Sequence, residues 1–119
     1  MRDYQHLEIW QRSHKLTLRV YSVTQHFPKA EAYGLASQMR RSASSVPTNI
    51  AEGCGRESIA ELKRFLTIAA GSSSELQYQF ILSKDLNYID ETLFKELFDE
   101  ISQIRRMLYS YSEKLKADC

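Results

Sequence analysis

Residues 90–116 read DETLFKELFDEISQIRRMLYSYSEKLK, and this stretch decides the fold. Its apolar residues recur in alternating steps of three and four, at Phe94, Leu97, Ile101, Ile104, Leu108, Tyr111 and Leu115. Such spacing places one apolar seam along a single face of an α-helix. Asp90 stands at a good N-cap position, and Glu91 complements the positive end of the helix dipole. The stretch therefore predicts one long amphipathic helix.

Three earlier segments show the same period and predict helices over about residues 7–26, 31–53 and 58–87. The first ends at Phe27-Pro28, because the residue before a proline leaves the helical region. The third begins at Ser58, a predicted N-cap residue whose capping box Glu61 completes. In the second, Pro47 removes a backbone hydrogen bond, so we expect helix 2 to be kinked at Pro47 or briefly broken there.

Short joints between long helices place neighbouring helices antiparallel. The sequence therefore predicts an all-α fold, an up-down-up-down antiparallel four-helix bundle that forms a single domain over residues 1–119. Only 4 Gly and 2 Pro occur, too few for an all-β fold with frequent turns. Small residues lie in the middle of the second and third helices, at 42–45 and 69–74, and predict that these two helices pack closest.

The composition indicates a soluble, cytoplasmic protein. The chain has 119 residues with 16 Lys+Arg and 15 Asp+Glu, a formal net charge of +1, and 43% hydrophobic residues. We find no apolar signal core near the N-terminus and no apolar stretch long enough to span a bilayer. Cys54 and Cys119 have no framework or C-x-x-C spacing, which favours free cytosolic thiols.

The histidines and cysteines of the sequence do not occur at the spacings typical of catalytic or metal-binding motifs. His6, His14 and His26 are 8 and 12 positions apart, and no Glu-x-x-His occurs, so di-iron ligand spacing is missing. Cys54 lies between two glycines without Walker spacing and without a base nearby in sequence. We therefore predict no enzymatic activity, no metal or cofactor, and no small-molecule substrate.

Charge is unevenly spread along the chain. Residues 1–56 carry eight basic and four acidic side chains, whereas residues 57–119 carry eight basic and eleven acidic ones. Arg12, Lys15 and Arg19 share one stripe of the first helix. Together with Arg40 and Arg41 they form a candidate RNA- or DNA-binding surface; the other interpretation is a solvated helix face.

Aromatic residues lie on the flanks of two helices, away from the main seams. Trp10 and Tyr21 flank the first helix, and Phe98 and Tyr109 flank the fourth. Wide apolar faces either enlarge the core of the chain or are buried against another chain. These four residues are therefore the candidate oligomer interface, and the opposite charges of the two halves would suit self-association.

Residues 45–53 read SVPTNIAEG, the most unusual local stretch. Asn49 and Glu52 lie near the core, where polar groups are paired. We expect them to bond backbone groups freed around Pro47 or to cap a neighbouring helix, and a ligand site is the alternative. Gly53 and Gly71 complete this predicted structural motif.

The stretches 27–53 and 56–76, with Trp10, Leu16, Val20-Tyr21 and Thr24, resemble the family known as four-helix bundle proteins. The most specific segments are Asn49-Ile50-Ala51-Glu52-Gly53 and Gly71-Ser72 followed by Glu75-Leu76. This family includes proteins encoded by intervening sequences within bacterial 23S rRNA genes and the accessory variability determinant of diversity-generating retroelements. The resemblance covers about residues 4–110.

The resemblance implies a bundle that assembles as a ring-like homopentamer. It also implies a link to nucleic acid, because the retroelement member is strongly basic and works with a reverse transcriptase. The near-neutral charge of this chain departs from that pattern. The first hypothesis is therefore a non-enzymatic oligomeric scaffold or adaptor, and the alternative is an RNA- or DNA-binding accessory protein.

Overall fold

The computed structural model describes residues 2–117 and contains four α-helices: α1 (Glu8–Thr24), α2 (Leu35–Cys54), α3 (Ile59–Asp85) and α4 (Glu91–Ala117). Consecutive helices run antiparallel, and the bundle measures 47 × 23 × 20 Å. The predicted all-α four-helix bundle is confirmed. Cys119 lies outside the described residues. No helix in the described range is long and apolar enough to cross a bilayer.

The predicted seams form one core. The fully buried large side chains come from all four helices: Val20, Met39, Val46, Ile50, Leu62, Leu66, Leu76, Phe80, Leu97, Ile101, Ile104 and Leu108. Of the helix pairs that touch, α2 and α3 share the most extensive contact, and α1 and α4 share the least extensive. Burying apolar surface of this kind is the main favourable contribution to folding.

The predicted N-cap residues are present at α3 and α4, but the capping box is not complete, because the Glu61 carboxylate accepts from Arg64 and not from the Ser58 N–H. The Ser58 hydroxyl accepts a hydrogen bond from the Glu61 backbone N–H at 3.1 Å, and the Asp90 carboxylate accepts one from Leu93 N–H at 2.8 Å. Asn87 ends α3 with a φ of 64°, a left-handed conformation that Asn tolerates. The Tyr88 N–H then bonds the Ser83 carbonyl at 2.9 Å, so the chain turns sharply into α4.

Helix α2 begins at Leu35, four residues later than the sequence predicts. Residues Lys29–Glu31 form a 3-10 turn instead, and Gly34 has a non-helical conformation. The reason is the side chain of Glu31, whose carboxylate accepts the Leu35 N–H at 3.1 Å and the Tyr88 hydroxyl at 2.8 Å. Glu31 therefore caps α2 from outside the helix and ties the α1–α2 joint to the α3–α4 joint.

Helix α2 continues through Pro47, so the expected break does not occur; the kink stays a prediction. Proline lacks the N–H that would bond the Ala43 carbonyl. The hydroxyl of Thr17 in α1 lies 3.0 Å from that carbonyl oxygen and donates to it, sharing its hydrogen with Ser13 O at 2.8 Å. A side chain of the neighbouring helix therefore satisfies the acceptor that Pro47 leaves free.

The two glycines of the predicted structural motif differ. A Cβ atom at Gly53 would lie 2.9 Å from Leu62 Cδ1 and 3.0 Å from Phe65 Cβ, so Gly53 is needed where α2 and α3 approach each other. A Cβ atom at Gly71 would meet no atom within 4 Å. The expectation that Gly71 allows close packing inside the bundle is therefore wrong, because it lies on an exposed face of α3.

Candidate interaction surfaces

Two of the three residues in the basic stripe of α1 pair with acidic residues of α4. The Arg12 guanidinium donates to both carboxylate oxygens of Glu100, at 3.0 and 2.6 Å, and to the Gln103 side chain at 2.7 Å. This pairing with Glu100 raises the pKa of Arg12. Arg19 of α1 pairs with Glu96, which lies one turn before Glu100 on α4. Two basic side chains of the first half of the chain are thus paired with acidic side chains of the second half.

Arg40 and Arg41 point to different environments. The Arg40 side chain donates to Thr24 Oγ1 at 2.8 Å and to the Tyr21 carbonyl at 3.2 Å, and its guanidinium lies 4.8 Å from the centre of the Tyr21 ring. The Arg41 side chain is exposed and, like that of Lys15, makes no hydrogen bond or ion pair with another described residue. Of the five predicted nucleic-acid contacts, only these two are unengaged within residues 2–117.

The four candidate interface aromatics are unequally exposed. Trp10 is half-buried between the rings of Tyr4 and His14, each 5.1 Å away between centroids. Phe98 is partly buried, with its ring centroid 5.3 Å from that of Phe94. Tyr109 on α4 is 70% exposed and Tyr21 is 44% exposed. The flanks therefore contribute to the packing of the chain while leaving two tyrosines open.

Trp10 also lines an open groove of about 500 Å³ between α1 and α2. One wall is the aromatic cluster of Tyr4, Trp10 and His14. The other wall is formed by residues of the SVPTNIAEG stretch and by Gly55, which follows it. Its members are Pro47, Thr48, Ala51, Glu52 and Gly55. The groove combines apolar rings with one carboxylate, a lining that suits a mixed apolar and polar protein surface.

Asn49 and Glu52 do not bond the carbonyl that Pro47 frees, contrary to expectation. The Asn49 amide donates to the Ser45 carbonyl at 2.8 Å and to the Ser45 hydroxyl at 2.9 Å. Ser45 in turn bonds the Ser72 hydroxyl of α3 at 2.8 Å. Glu52 pairs with Arg56 at 3.4 Å on the surface. Asn49 thus belongs to a hydrogen-bonded chain that joins α2 to α3.

The single described cysteine is unsuited to nucleophilic chemistry. Cys54 is buried at the end of α2, and this burial raises the pKa of its thiol. A raised pKa reduces the thiolate fraction, which is the reactive form. Across residues 2–117, no three His, Cys, Asp or Glu side chains come together in a way that could hold a metal ion.

Several exposed apolar side chains were not predicted from the sequence. Tyr33, in the α1–α2 joint, is 99% exposed. On α3, Ile68 is 41% and Tyr78 is 59% exposed, on the same face as Gly71. In α3, a second set of residues recurs in steps of three and four beside the buried seam. This second periodicity could have predicted the exposed face of α3, but only the buried seam was used to assign the helix.

The fold and these surfaces define an all-α four-helix bundle protein. The family model for the 23S rRNA-intervening sequence protein matches residues 5–110, so the chain belongs to this family. A similar crystal structure at 1.70 Å resolution is that of a protein of unknown function from the S23 ribosomal protein family of Bacteroides thetaiotaomicron VPI-5482. It has a TM-score of 0.82 and 21% identity, over 87% of this chain and 97% of that chain. No curated protein matches the sequence.

Proposed function

We propose that this chain is a cytoplasmic, non-enzymatic scaffold or adaptor that assembles as a homo-oligomer through the flanks of α1 and α4. The observation that carries the proposal is the exposure of Tyr109, which is 70% exposed beside Arg106 on the outside of α4. Tyrosine and arginine are enriched at the centres of protein interfaces. A pentameric ring is the assembly that the family resemblance implies.

The α1–α2 groove supplies a second surface for assembly. It lies on the α1–α2 side of the bundle, whereas Tyr109 lines a surface with Gln77 and Ser102 on the α3–α4 side. When two different patches of a chain meet, the contact is head-to-tail, and such contacts close into rings if the rotation allows. Two separated patches are therefore what a cyclic scaffold requires.

Native mass measurement by light scattering tests this proposal. Tyr109→Ala and Trp10→Ala should each lower the native mass relative to the unaltered chain. Tyr33→Ala is the matched control, because it removes a tyrosine that is even more exposed than Tyr109 and lies at the other end of the bundle. Circular dichroism should show that the variants remain helical. A monomeric unaltered chain, or an unchanged mass in both flank variants, would contradict these interfaces.

The second candidate is an RNA- or DNA-binding accessory protein. The observation that favours it is that the side chains of Lys15 and Arg41 are exposed and have no partner within residues 2–117. Free lysine and arginine side chains bind phosphates without reading bases, so affinity falls steeply with salt. The pairing of Arg12 and Arg19 with glutamates reduces the charge that this surface offers.

Fluorescence anisotropy with short structured RNA and duplex DNA separates the two candidates. Binding that persists at physiological salt and weakens in the Lys15→Ala/Arg41→Ala variant would support the nucleic-acid function. Lys95→Ala/Lys114→Ala removes the same charge from α4 and serves as the control. Binding that occurs only at low salt, or that is equally affected by the control, would leave the scaffold as the remaining function.

A further inference from the structure

Helix α3 carries a second line of residues on the side that faces away from the core. Its members recur in steps of three and four: Glu61, Arg64, Ile68, Gly71, Glu75 and Tyr78. We call this line the α3 outer face. It is about 26 Å long at 1.5 Å per residue. Its members are exposed, except Glu61, which is partly exposed.

Packing within the described chain does not require a glycine at position 71, the centre of this face. Glycine is one of the least favourable residues in a helix interior, where alanine is the best. A Cβ atom at this position would nevertheless meet no atom within 4 Å. The position is therefore open space, next to the exposed side chain of Ile68 one turn earlier. Glycine on an exposed helix face lets another backbone or a bulky side chain approach closely.

We propose that the α3 outer face binds the same face of a second copy of this chain, with the two helices antiparallel. When the midpoint between Ala69 and Ala70 lies at the crossing, all six residues find a complementary partner. Ile68 meets Gly71 of the second copy, Arg64 meets Glu75, and Glu61 meets Tyr78. The contact is isologous, so each pair forms twice about the two-fold axis.

The apolar part of this contact is the packing of Ile68 over Gly71. The Ile68 side chain is 41% exposed in the single chain, and the space above Gly71 has no occupant. Inserting a side chain of one helix into a hole on the facing helix is how antiparallel helices pack at small angles. Tyr78, which is 59% exposed, extends the apolar surface at each end.

Charge complementarity selects a second copy as the partner. The Glu75 side chain makes no hydrogen bond or ion pair with another residue in the range 2–117. Arg64 bonds Glu61 at 3.0 and 3.3 Å, and this exposed pair one turn apart is weak. A guanidinium has five donors, so Arg64 can also bind Glu75 of the second copy. Each interface would then hold two Arg64–Glu75 pairs that flank the Ile68–Gly71 contacts.

This contact deepens the proposed homo-oligomer but does not depend on the flanks of α1 and α4. Alone, it produces a two-fold dimer. Together with a ring built from the flanks, it would join two rings face to face or side by side. The α3 contact and the ring contacts therefore change the native mass independently.

Charge reversal tests the pairing. We expect Glu75→Arg and Arg64→Glu each to weaken self-association by about tenfold or more in sedimentation equilibrium, because like charges then face each other twice. The double variant Arg64→Glu/Glu75→Arg should restore association. Glu57→Arg is the control, since it makes the same charge change on an exposed residue outside the face. Failure of the double variant to restore association would overturn the proposal.

Gly71→Ala provides an independent test. The added methyl group should raise the urea midpoint of the dilute chain, because alanine favours the helix, and should weaken self-association by occupying the Ile68 site. A monomeric unaltered chain would overturn both this contact and the proposed scaffold. If the native mass of the oligomer is unchanged by the α3 variants but lowered by Trp10→Ala or Tyr109→Ala, only the α3 contact is overturned.

Discussion

The hydroxyl of Thr17 in α1 lies 3.0 Å from the carbonyl oxygen of Ala43 in α2, the acceptor that Pro47 deprives of its backbone donor. Both groups lie in the buried contact between the helices. An unsatisfied buried carbonyl costs about 1–3 kcal/mol. The Thr17 hydrogen bond therefore offsets part of the cost of a proline inside a helix that continues for seven further residues, to Cys54.

Removing the Thr17 hydroxyl should lower the free energy of unfolding, because the Ala43 carbonyl then has no donor. Thr17→Val keeps the shape of the side chain but removes the donor, so we expect a loss of about 1–2 kcal/mol in the free energy of unfolding. Urea denaturation followed by circular dichroism measures it. Thr67→Val is the matched control, because the Thr67 hydroxyl bonds only a carbonyl of its own helix, on an exposed face. The control should stay within about 0.5 kcal/mol.

A double variant identifies the cause. In a Pro47→Ala chain, residue 47 regains an N–H group for the Ala43 carbonyl. Thr17→Val should then cost clearly less than it does in the presence of Pro47. Equal costs in the two backgrounds would mean that the Thr17 hydroxyl does not compensate for the proline.

Because α2 and α3 approach closely at Gly53, we expect Gly53→Ala to lower stability and Gly55→Ala to leave it nearly unchanged. Gly53→Ala would place a methyl group 2.9 Å from Leu62 Cδ1 and 3.0 Å from Phe65 Cβ. We expect a destabilisation of about 1–2 kcal/mol, since overpacking costs more than the helix propensity of alanine returns.

Gly55→Ala is the control for Gly53→Ala. Its methyl group would lie 3.5 Å from the Glu52 carbonyl oxygen, an ordinary contact. The thermal midpoint should therefore change little, whereas that of Gly53→Ala should fall. If both variants had the same thermal midpoint as the unaltered chain, the prediction would be wrong. The contact between α2 and α3 at Gly53 would then accommodate a methyl group without loss of stability.

The sequence predicted the helices well because their signals are local. The seam of α4, the caps at Ser58 and Asp90, and the end of α1 near Phe27-Pro28 all depend on residues within a few positions of each other. The start of α2 was wrong by four residues, because the Glu31 carboxylate caps the helix through a contact that also involves Tyr88. That contact joins residues 57 positions apart.

The surfaces were harder to predict than the helices, for the same physical reason. Arg12 and Arg19 form a basic stripe in the sequence, and their acidic partners lie 88 and 77 positions away on α4. The partner of the Ala43 carbonyl was sought near Pro47 and is Thr17 on another helix. Gly71 resembled an internal packing residue, and only its position relative to the core shows that it is exposed.

The ion pairs between α1 and α4 should differ in strength. Arg12 and Glu100 are partly buried and joined by two hydrogen bonds, whereas Arg19 and Glu96 are about half exposed. A double-mutant cycle with Arg12→Leu and Glu100→Gln should give a coupling energy of about 1 kcal/mol. The matched cycle with Arg19→Leu and Glu96→Gln should give less than about 0.5 kcal/mol.

Salt provides the check on this comparison. Exposed pairs are screened by added salt more than partly buried ones. We therefore expect high salt to remove most of the Arg19–Glu96 coupling energy but to leave more of the Arg12–Glu100 coupling energy. Urea titrations of both cycles at low and high salt measure this difference. A larger coupling for the Arg19 pair would show that the bidentate geometry of Arg12 gives no advantage.

Glu31 should make stability depend on pH in the acid range. The backbone N–H of Leu35 and the hydroxyl of Tyr88 hold the pKa of the Glu31 carboxyl below its ordinary value. A group whose pKa is lower in the folded chain stabilises that chain above its unfolded pKa, and this stability is lost as pH falls through the folded pKa. Stability should therefore fall below about pH 5, where an unfolded glutamate begins to bind its proton.

Glu31→Gln tests this assignment, because glutamine keeps an acceptor for the Leu35 N–H but does not titrate. The fall in urea midpoint between neutral pH and the acid range should be smaller in Glu31→Gln than in the unaltered chain. Tyr88→Phe should reduce the fall in part, since it removes the second of the two hydrogen bonds. Glu57→Gln, an exposed carboxylate outside this cluster, is the control. An unchanged slope in Glu31→Gln would place the acid sensitivity elsewhere, because the carboxylate that ties the two joints together would then contribute nothing to it.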